Sequence, residues 1–432
     1  MIDIYHILLG CTLGVFAGLL PGLGYFTTLL LVFPLLLDMT VLELLVVYSA
    51  VVTISIYVGS IPATIYGIPG DSSSLPCVYE SRNLNSQIQV SQAISGAAFG
   101  GFFGSVSVAL LCFVLLEYLE NIKYFYSTGP FVLLLICTSF IVIYTSGDSK
   151  IISSLLYVFG FFLGSIGYND HLDTSIFVLN NYMYSGLPSI VVISALFAVP
   201  NILYFWQNFS NHKKIDTSKE NFNIYRPYML SPVKTMFFTF VGFFTGMVPS
   251  LSTILSSNLA HNIMSMFSKD PVKRITASET ANNAGAFSML LPLLIFGIPI
   301  TSSEALLLFF LEQSGFNTYN TTLAPLMSSL IWNYLVINLI GLLLAWPLAK
   351  YVKYFYNIDL RYLFTGVIAI IVATVIYSGL EYYSVWWYIT LFLVLLPIGV
   401  MLRRFNLIPL VFAFFISKIL LSKSVILYDL YF

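Results

Sequence analysis

Charge is what this chain has least of. Of its 432 residues only 9% are Asp, Glu, Lys or Arg, against ~25% in soluble domains. Hydrophobic residues make up 58% even with glycine left out, and the mean hydropathy is +0.90. A soluble globular domain is thereby excluded. No basic patch suits a nucleic acid, since 18 Lys and Arg stand against 19 Asp and Glu, scattered in short groups. Cysteine and histidine are scarce too, four of each. Cys11, Cys77, Cys112 and Cys137 lack CxxC spacing, and His6, His171, His212 and His261 make no HExxH-like constellation. A disulfide framework or structural metal is therefore not the organising device. Three of the cysteines, Cys11, Cys112 and Cys137, lie in apolar runs and read as small buried residues, and His261 reads as an interfacial histidine. The opening "MIDIYHILLGCTLGVF" has no basic n-region and no small-residue cleavage site. It reads as a retained first span rather than a cleaved signal peptide.

What the chain does have is apolar runs near the ~20 residues that cross a bilayer. They fall at 4–20, 25–37, 41–60, 94–116, 130–145, 151–167, 187–206, 233–254, 283–300, 325–346, 363–380, 385–402 and 408–422. The expectation is an all-α polytopic membrane protein with about 10–13 membrane segments, some broken or re-entrant. The 37 Phe and 29 Tyr suit a lipid-facing surface with interfacial belts. Charge is uneven along the chain: residues 1–200 carry three bases against ten acids, and residues 201–432 carry fifteen against nine. The bases gather in short loops, such as Lys269, Lys273 and Arg274, or Arg403 and Arg404, which the positive-inside rule places toward the cytoplasm. The sizeable polar segment, 207–230, reads as a linker between a first membrane repeat, 1–206, and a second, 231–432.

Those halves resemble each other. "TLGVFAGLLPGLG" (12–24) matches "TFVGFFTGMVPSLS" (239–252), with Gly14, Gly18 and Pro21 against Gly242, Gly246 and Pro249 at an offset of 228. "YGIPGDSSS" (66–74) matches "FGIPITSSE" (296–304), pairing Gly67, Ile68, Pro69, Ser72 and Ser73 with Gly297, Ile298, Pro299, Ser302 and Ser303 at an offset of 230. Two matches in the same order at nearly one offset imply a duplicated fold.

Gly-Pro breaks inside a span are costly. Proline removes a donor and glycine permits positive φ, while unwound chain at membrane depth survives only when buried in protein or lining a polar cavity. One such break reads as a kink. Breaks at matching places in two halves point instead to a midplane site, where amide ends favour anions and carbonyl ends favour cations. "SETANNAGAF" (278–287) adds Glu279, Asn282 and Asn283 on one helical face. The alternative for Glu279 is an interfacial carboxylate following Lys273 and Arg274. The oxygen-rich surroundings suit a hard cation such as sodium. The candidate substrate- or ion-binding residues are Pro21, Gly22, Gly24, Gly59, Ser60, Gly67, Pro69, Gly70, Asp71 and Ser72 in the first half. In the second they are Glu279, Asn282, Asn283, Gly297, Pro299, Thr301 and Ser302.

These motifs resemble the large membrane subunit of the tripartite tricarboxylate transporters, the TctA family. "GLLPGLG" (18–24), "YVGSIPATIYGIPG" (57–70), "ETANNA" (279–284) with "LPLLIFGIP" (291–299), "GFFLGSIGYNDHLD" (160–173) and "RRFNLIP" (403–409) stand in the family's order. Val58, Gly67, Asp71, "PSLS" (249–252) and Ile300 depart from its pattern. The resemblance implies inverted repeats and a permease in the cytoplasmic (inner) membrane of a bacterial-type cell. It implies a small membrane subunit and an extracytoplasmic solute-binding protein as partners, and uptake of small carboxylates driven by Na+ or H+. No other cofactor and no enzymatic activity are expected. Since no arginine lies within the motifs, carboxylate recognition would fall on half-helix N-termini and hydroxyls. A degenerate, non-transporting protein is the alternative that the lost glycines motivate. An intramembrane hydrolase using Ser72, Asp71 or Glu279 lacks a plausible serine–histidine pair.

Overall fold

The computed structural model describes residues 2–20, 24–32, 36, 38–123, 128–146, 149–169, 173–200, 202–203, 225–249, 251–316, 321–356, 360–381 and 384–431. Among them the chain is helical apart from one short hairpin. α1 (Ile4–Leu19) opens on Asp3, whose carboxylate accepts the His6 amide. α2 (Gly24–Leu31) follows, then α3 (Val41–Tyr66), started by a capping box between Thr40 and Glu43. A 3-10 turn at Ser72–Ser74 leads into α4 (Leu75–Ser81). Next come α5 (Gln87–Val114), α6 (Leu116–Lys123), α7 (Thr128–Thr145) and α8 (Lys150–Ser165). Strands β1 (Gly167–Asn169) and β2 (Thr174–Ile176) pair antiparallel with Gly167 opposite Ile176. α9 (Ser189–Ile193) runs on into a π-helical turn at Ser194–Ala198.

The later half begins with α10 (Pro232–Gly246), α11 (Ser252–Phe267), α12 (Pro271–Ser288) and α13 (Leu290–Phe296). α14 (Ser302–Gln313), α15 (Leu323–Tyr356), α16 (Leu360–Glu381), α17 (Val385–Leu402) and α18 (Ile408–Tyr431) complete it. Among the described residues, five helices are long and apolar enough to cross a membrane: α3, α5, residues Leu323–Val352 of α15, α17, and residues Ile408–Ile426 of α18. Prolines and glycines cut several expected spans. The run at 233–254 stops at Gly246 and resumes as a new helix at Ser252, with Pro249 between. The run expected at 283–300 belongs to α12 and α13, and the first of these starts back at Pro271.

Two compact units form, and each draws on both sequence halves. The first comprises Met1–Leu29, Asp38–Phe125 and Lys214–Ile358; the second comprises Leu30–Leu37, Tyr126–Lys213 and Asp359–Phe432. Residues 204–224, most of the expected linker, lie outside the described residues. From Tyr225 the chain is extended, and it is pinned to α5: the Arg226 amide donates to Ser91 Oγ, and Ser95 Oγ donates to the Arg226 carbonyl at 2.8 Å.

Two helices are enclosed on all sides in the first unit. Every residue of α3 from Leu44 to Ile65 is buried, as expected of a helix apolar all round. α12 is buried from Ile275 to Ser288 although it carries Thr276, Ser278, Glu279, Thr280, Asn282, Asn283 and Ser288. Small residues let its neighbours close in. Gly96, Gly100 and Gly104 of α5 face Thr276 and Thr280, and Gly242 and Gly246 of α10 face Ala281 and Gly285. In the second unit α8 lies against α18, with Gly160 beside the Leu410 carbonyl and Gly164 beside that of Phe414. α7 joins α8 through a Tyr157–Ser139 hydrogen bond of 2.7 Å.

Candidate functional site

Both G-I-P segments end a helix in the same way. Gly67 closes α3 in the left-handed region, at φ 68° and ψ 27°, with its amide turned back to the Ala63 carbonyl. Gly297 closes α13 at φ 69° and ψ 23°, with its amide on Leu293. The next amide reaches further back each time, Ile68 to the Pro62 carbonyl at 3.3 Å and Ile298 to that of Pro292 at 3.2 Å. Past the prolines, Asp71 (φ −141°, ψ 163°) and Thr301 (φ −130°, ψ 164°) cap the following helical turns. Only glycine adopts the terminating conformation without strain. The duplication read in the sequence is thus repeated in backbone geometry.

The breaks meet inside the first unit. Tyr48 of α3 and Ser303 of α14 share a hydrogen bond of 3.1 Å. The half-buried Tyr25 phenol lies beside the Thr253 and Ser303 hydroxyls, within electrostatic reach of Asp71 and Glu304. Gly24 (φ 55°) adjoins Asp71, whose Oδ1 lies 3.1 Å from where a Cβ would sit. Gly18, Gly59 and Gly70 bring α1, α3 and the first break into backbone contact: a Cβ on Gly70 would meet the Gly18 carbonyl at 2.2 Å and the Gly59 Cα at 2.6 Å. Pro21 and Gly22 lie outside the described residues. Ser60 turns its hydroxyl back to the Tyr57 carbonyl at 2.9 Å. Ser72 is exposed, whereas Ser73 and Ser74 point inward.

A polar thread ties the first break to α12. The Ser73 hydroxyl donates to Asp71 Oδ2 at 3.0 Å. Asn282 Nδ2 donates to Ser73 Oγ at 3.2 Å and to Glu279 Oε2 at 3.3 Å. The Cys77 thiol donates to Glu279 Oε1 at 3.2 Å. Asn283 instead donates to the Glu279 carbonyl, and its own carbonyl accepts from Ser105. Glu279 is 1% exposed, which corrects its reading as an interfacial carboxylate. Among the described residues, the buried oxygens without a hydrogen-bond partner include Asn282 Oδ1, Asn283 Oδ1 and Glu304 Oε1. Among the described residues Asp71, Glu279 and Glu304 make no ion pair, because every such pair belongs to other acids.

The chain's own oxygens cap both half-helix starts. Asp71 Oδ2 accepts the Ser73 amide, and Glu304 Oε2 accepts those of Ile300 at 2.7 Å and Thr301 at 3.1 Å. The amides on which a substrate carboxylate was expected to rest are therefore partly taken. Pro69, Gly70, Pro299 and Ser302 stand in or beside the extended stretches, and Ser302 is buried.

One turn beyond Cys77, Glu80 is 2% exposed and accepts from three residues. His261 Nε2 and Arg274 Nη1 reach its Oε1 at 2.8 and 2.9 Å, and Asn83 reaches Oε2 at 2.8 Å. Burial alone would raise this carboxyl, but the His261, Asn83 and Arg274 hydrogen bonds hold it at about 2, well below its ordinary 4.5. His261 is thus partnered across the fold rather than merely interfacial, and Arg274 serves Glu80 instead of Glu279. Sequence reading passed over Tyr25, Tyr48, Thr64, Cys77, Glu80 and Glu304. Glu304 alone left a signal, as the last letter of "FGIPITSSE" opposite Ser74 at the repeat offset.

Sequence comparison gives the same answer as the motifs. Residues 4–412 match the tripartite tricarboxylate transporter TctA family. An uncharacterized 52.8 kDa protein of Agrobacterium vitis, named for its place in the TAR-I ttuC' 3' region, is 24% identical over 321 residues. That match spans 71% of this chain and 63% of the relative's own length. No solved structure matches the chain significantly. The chain belongs to the TctA family of tripartite tricarboxylate transporters.

Proposed function

We propose that the chain is the permease subunit of an ion-coupled secondary transporter that takes up small carboxylates. One observation carries this reading. Two helix breaks of the same geometry converge on Tyr25, Tyr48 and Ser303, beside the half-buried Asp71 and the buried Glu279 and Glu304, none of which has a basic partner among the described residues. Ionisable groups inside a membrane fold are expensive and mark solute paths. An anion entering beside three acids meets repulsion unless cations or protons enter with it, so coupling to an ion follows from the charge balance. The two repeats, inverted as in related transporter designs, would move this core between outward and inward access. A small membrane subunit and an extracytoplasmic binding protein would deliver the acid.

The test is uptake of labelled citrate and related small acids by cells producing this chain with both partners. Accumulation above the empty-vector level, abolished when the sodium and proton gradients are collapsed, is the expected result. Equal accumulation in both strains for every acid tried overturns the reading.

A further inference from the structure

We infer that Glu279, Asn282 and Ser73 bind a sodium-sized cation, and that this cation enters before the carboxylate. The inference deepens the permease reading, on which the coupling role rests; the binding itself does not depend on it. Asn282 Nδ2 sits between Ser73 Oγ at 3.2 Å and Glu279 Oε2 at 3.3 Å, so amide hydrogens occupy a position flanked by two oxygens. The other end of that amide, Oδ1, is fully buried and has no partner. A half-turn of the amide replaces the donor by an acceptor and sets its oxygen 3.2 Å from Ser73 Oγ and 3.3 Å from Glu279 Oε2.

Three such oxygens repel one another until a cation joins them. Hard cations of this size take oxygens at ~2.3–2.6 Å, which at octahedral angles sets neighbouring oxygens ~3.3–3.7 Å apart. The observed spacings, 3.2 and 3.3 Å, lie just below and at the short end of that range. Charge selects the valence. Glu279 is the one carboxylate in direct contact, with Asp71 a further hydrogen bond away through Ser73, and that suits a monovalent ion. Cys77 keeps the second Glu279 oxygen engaged. Order follows from electrostatics: the cation removes the charge that opposes an incoming acid.

The experiment uses the purified full chain in detergent, with thermal unfolding followed as sodium chloride replaces choline chloride at constant ionic strength and pH. Sodium raises the unfolding midpoint by mass action, while choline and potassium do not. Glu279→Gln loses the sodium response. Ser73→Ala and Asn282→Ala each need about tenfold more sodium or beyond, and Glu117→Gln, on an exposed part of α6, responds as the parent does. Equal effects of sodium, potassium and choline on the parent chain overturn the inference, as does a parental sodium response in Glu279→Gln or, should that variant not fold, in both Ser73→Ala and Asn282→Ala. Uptake without a sodium response defeats this inference alone, whereas a sodium response without uptake defeats the permease reading alone.

Discussion

Gly67 and Gly297 hold the same left-handed conformation, at φ 68° and 69°, in segments 230 positions apart. The likeness extends to the prolines before them and to the caps after them, so each segment ends one helix and begins another by the same device. An L side chain in that region crowds its own carbonyl at a cost of ~1–2 kcal/mol.

Gly67→Ala and Gly297→Ala should therefore each destabilise the chain by ~1–2 kcal/mol. Asparagine at either place should recover most of the loss, because it tolerates the left-handed region better than alanine. Denaturant unfolding in detergent measures both. A neutral alanine at either site contradicts a shared terminator.

Gly70 carries a different constraint, one of space. A methyl group there meets the Gly18 carbonyl at 2.2 Å and the Gly59 Cα at 2.6 Å, and neither backbone atom can swing aside. Gly70→Ala should push α1 from α3 and sharply lower the yield of folded protein. Gly366→Ala, where nothing lies within 4 Å, should leave the yield unchanged. Size-exclusion profiles of the two variants decide the point.

Backbone demands were the legible part of this site, because glycine and proline declare them locally. Gly67, Pro69, Gly297 and Pro299 mark the breaks without knowledge of any partner. Glu279, Asn282 and Asn283 were legible as a polar face within an apolar chain, yet only the packing around α12 reveals that this face is fully enclosed. Contacts over long separations left no trace. Tyr48 meets Ser303 across 255 positions and Cys77 meets Glu279 across 202, and neither tyrosine nor a lone cysteine advertises such a partner. Ser72 is exposed and Ser73 buried, because the inward side of a single 3-10 turn depends on what surrounds it. The two compact units are illegible for the same reason, since each gathers segments from distant parts of the sequence.

The Tyr48–Ser303 hydrogen bond links the buried helix α3 to α14. A single buried hydrogen bond contributes about 1 kcal/mol net. Tyr48→Phe and Ser303→Ala should each cost about that much, and the double variant should cost less than the two losses combined. The double-mutant cycle reports the coupling directly. Additive losses mean that the two hydroxyls do not act on each other in the folded protein.

Glu80 offers a pH test outside the membrane-crossing helices. Its carboxyl is held at about 2 in the fold, against 4.5 ordinarily, by His261, Asn83 and Arg274 despite burial. A depressed carboxyl stabilises the fold above its unfolded value, and that stabilisation fades as pH falls through the folded one. The contribution is therefore whole above about 4.5 and drains away toward about 2. Glu80→Ala should cost about 3 kcal/mol near neutral pH, as expected when a buried ion pair loses one member and leaves Arg274 unmatched. The gap between parent and variant should narrow as pH is lowered through this window. Thermal unfolding of both proteins across the acid range measures it, and a gap that stays constant or widens toward low pH shows that the Glu80 charge does not hold α4 to α11 and α12.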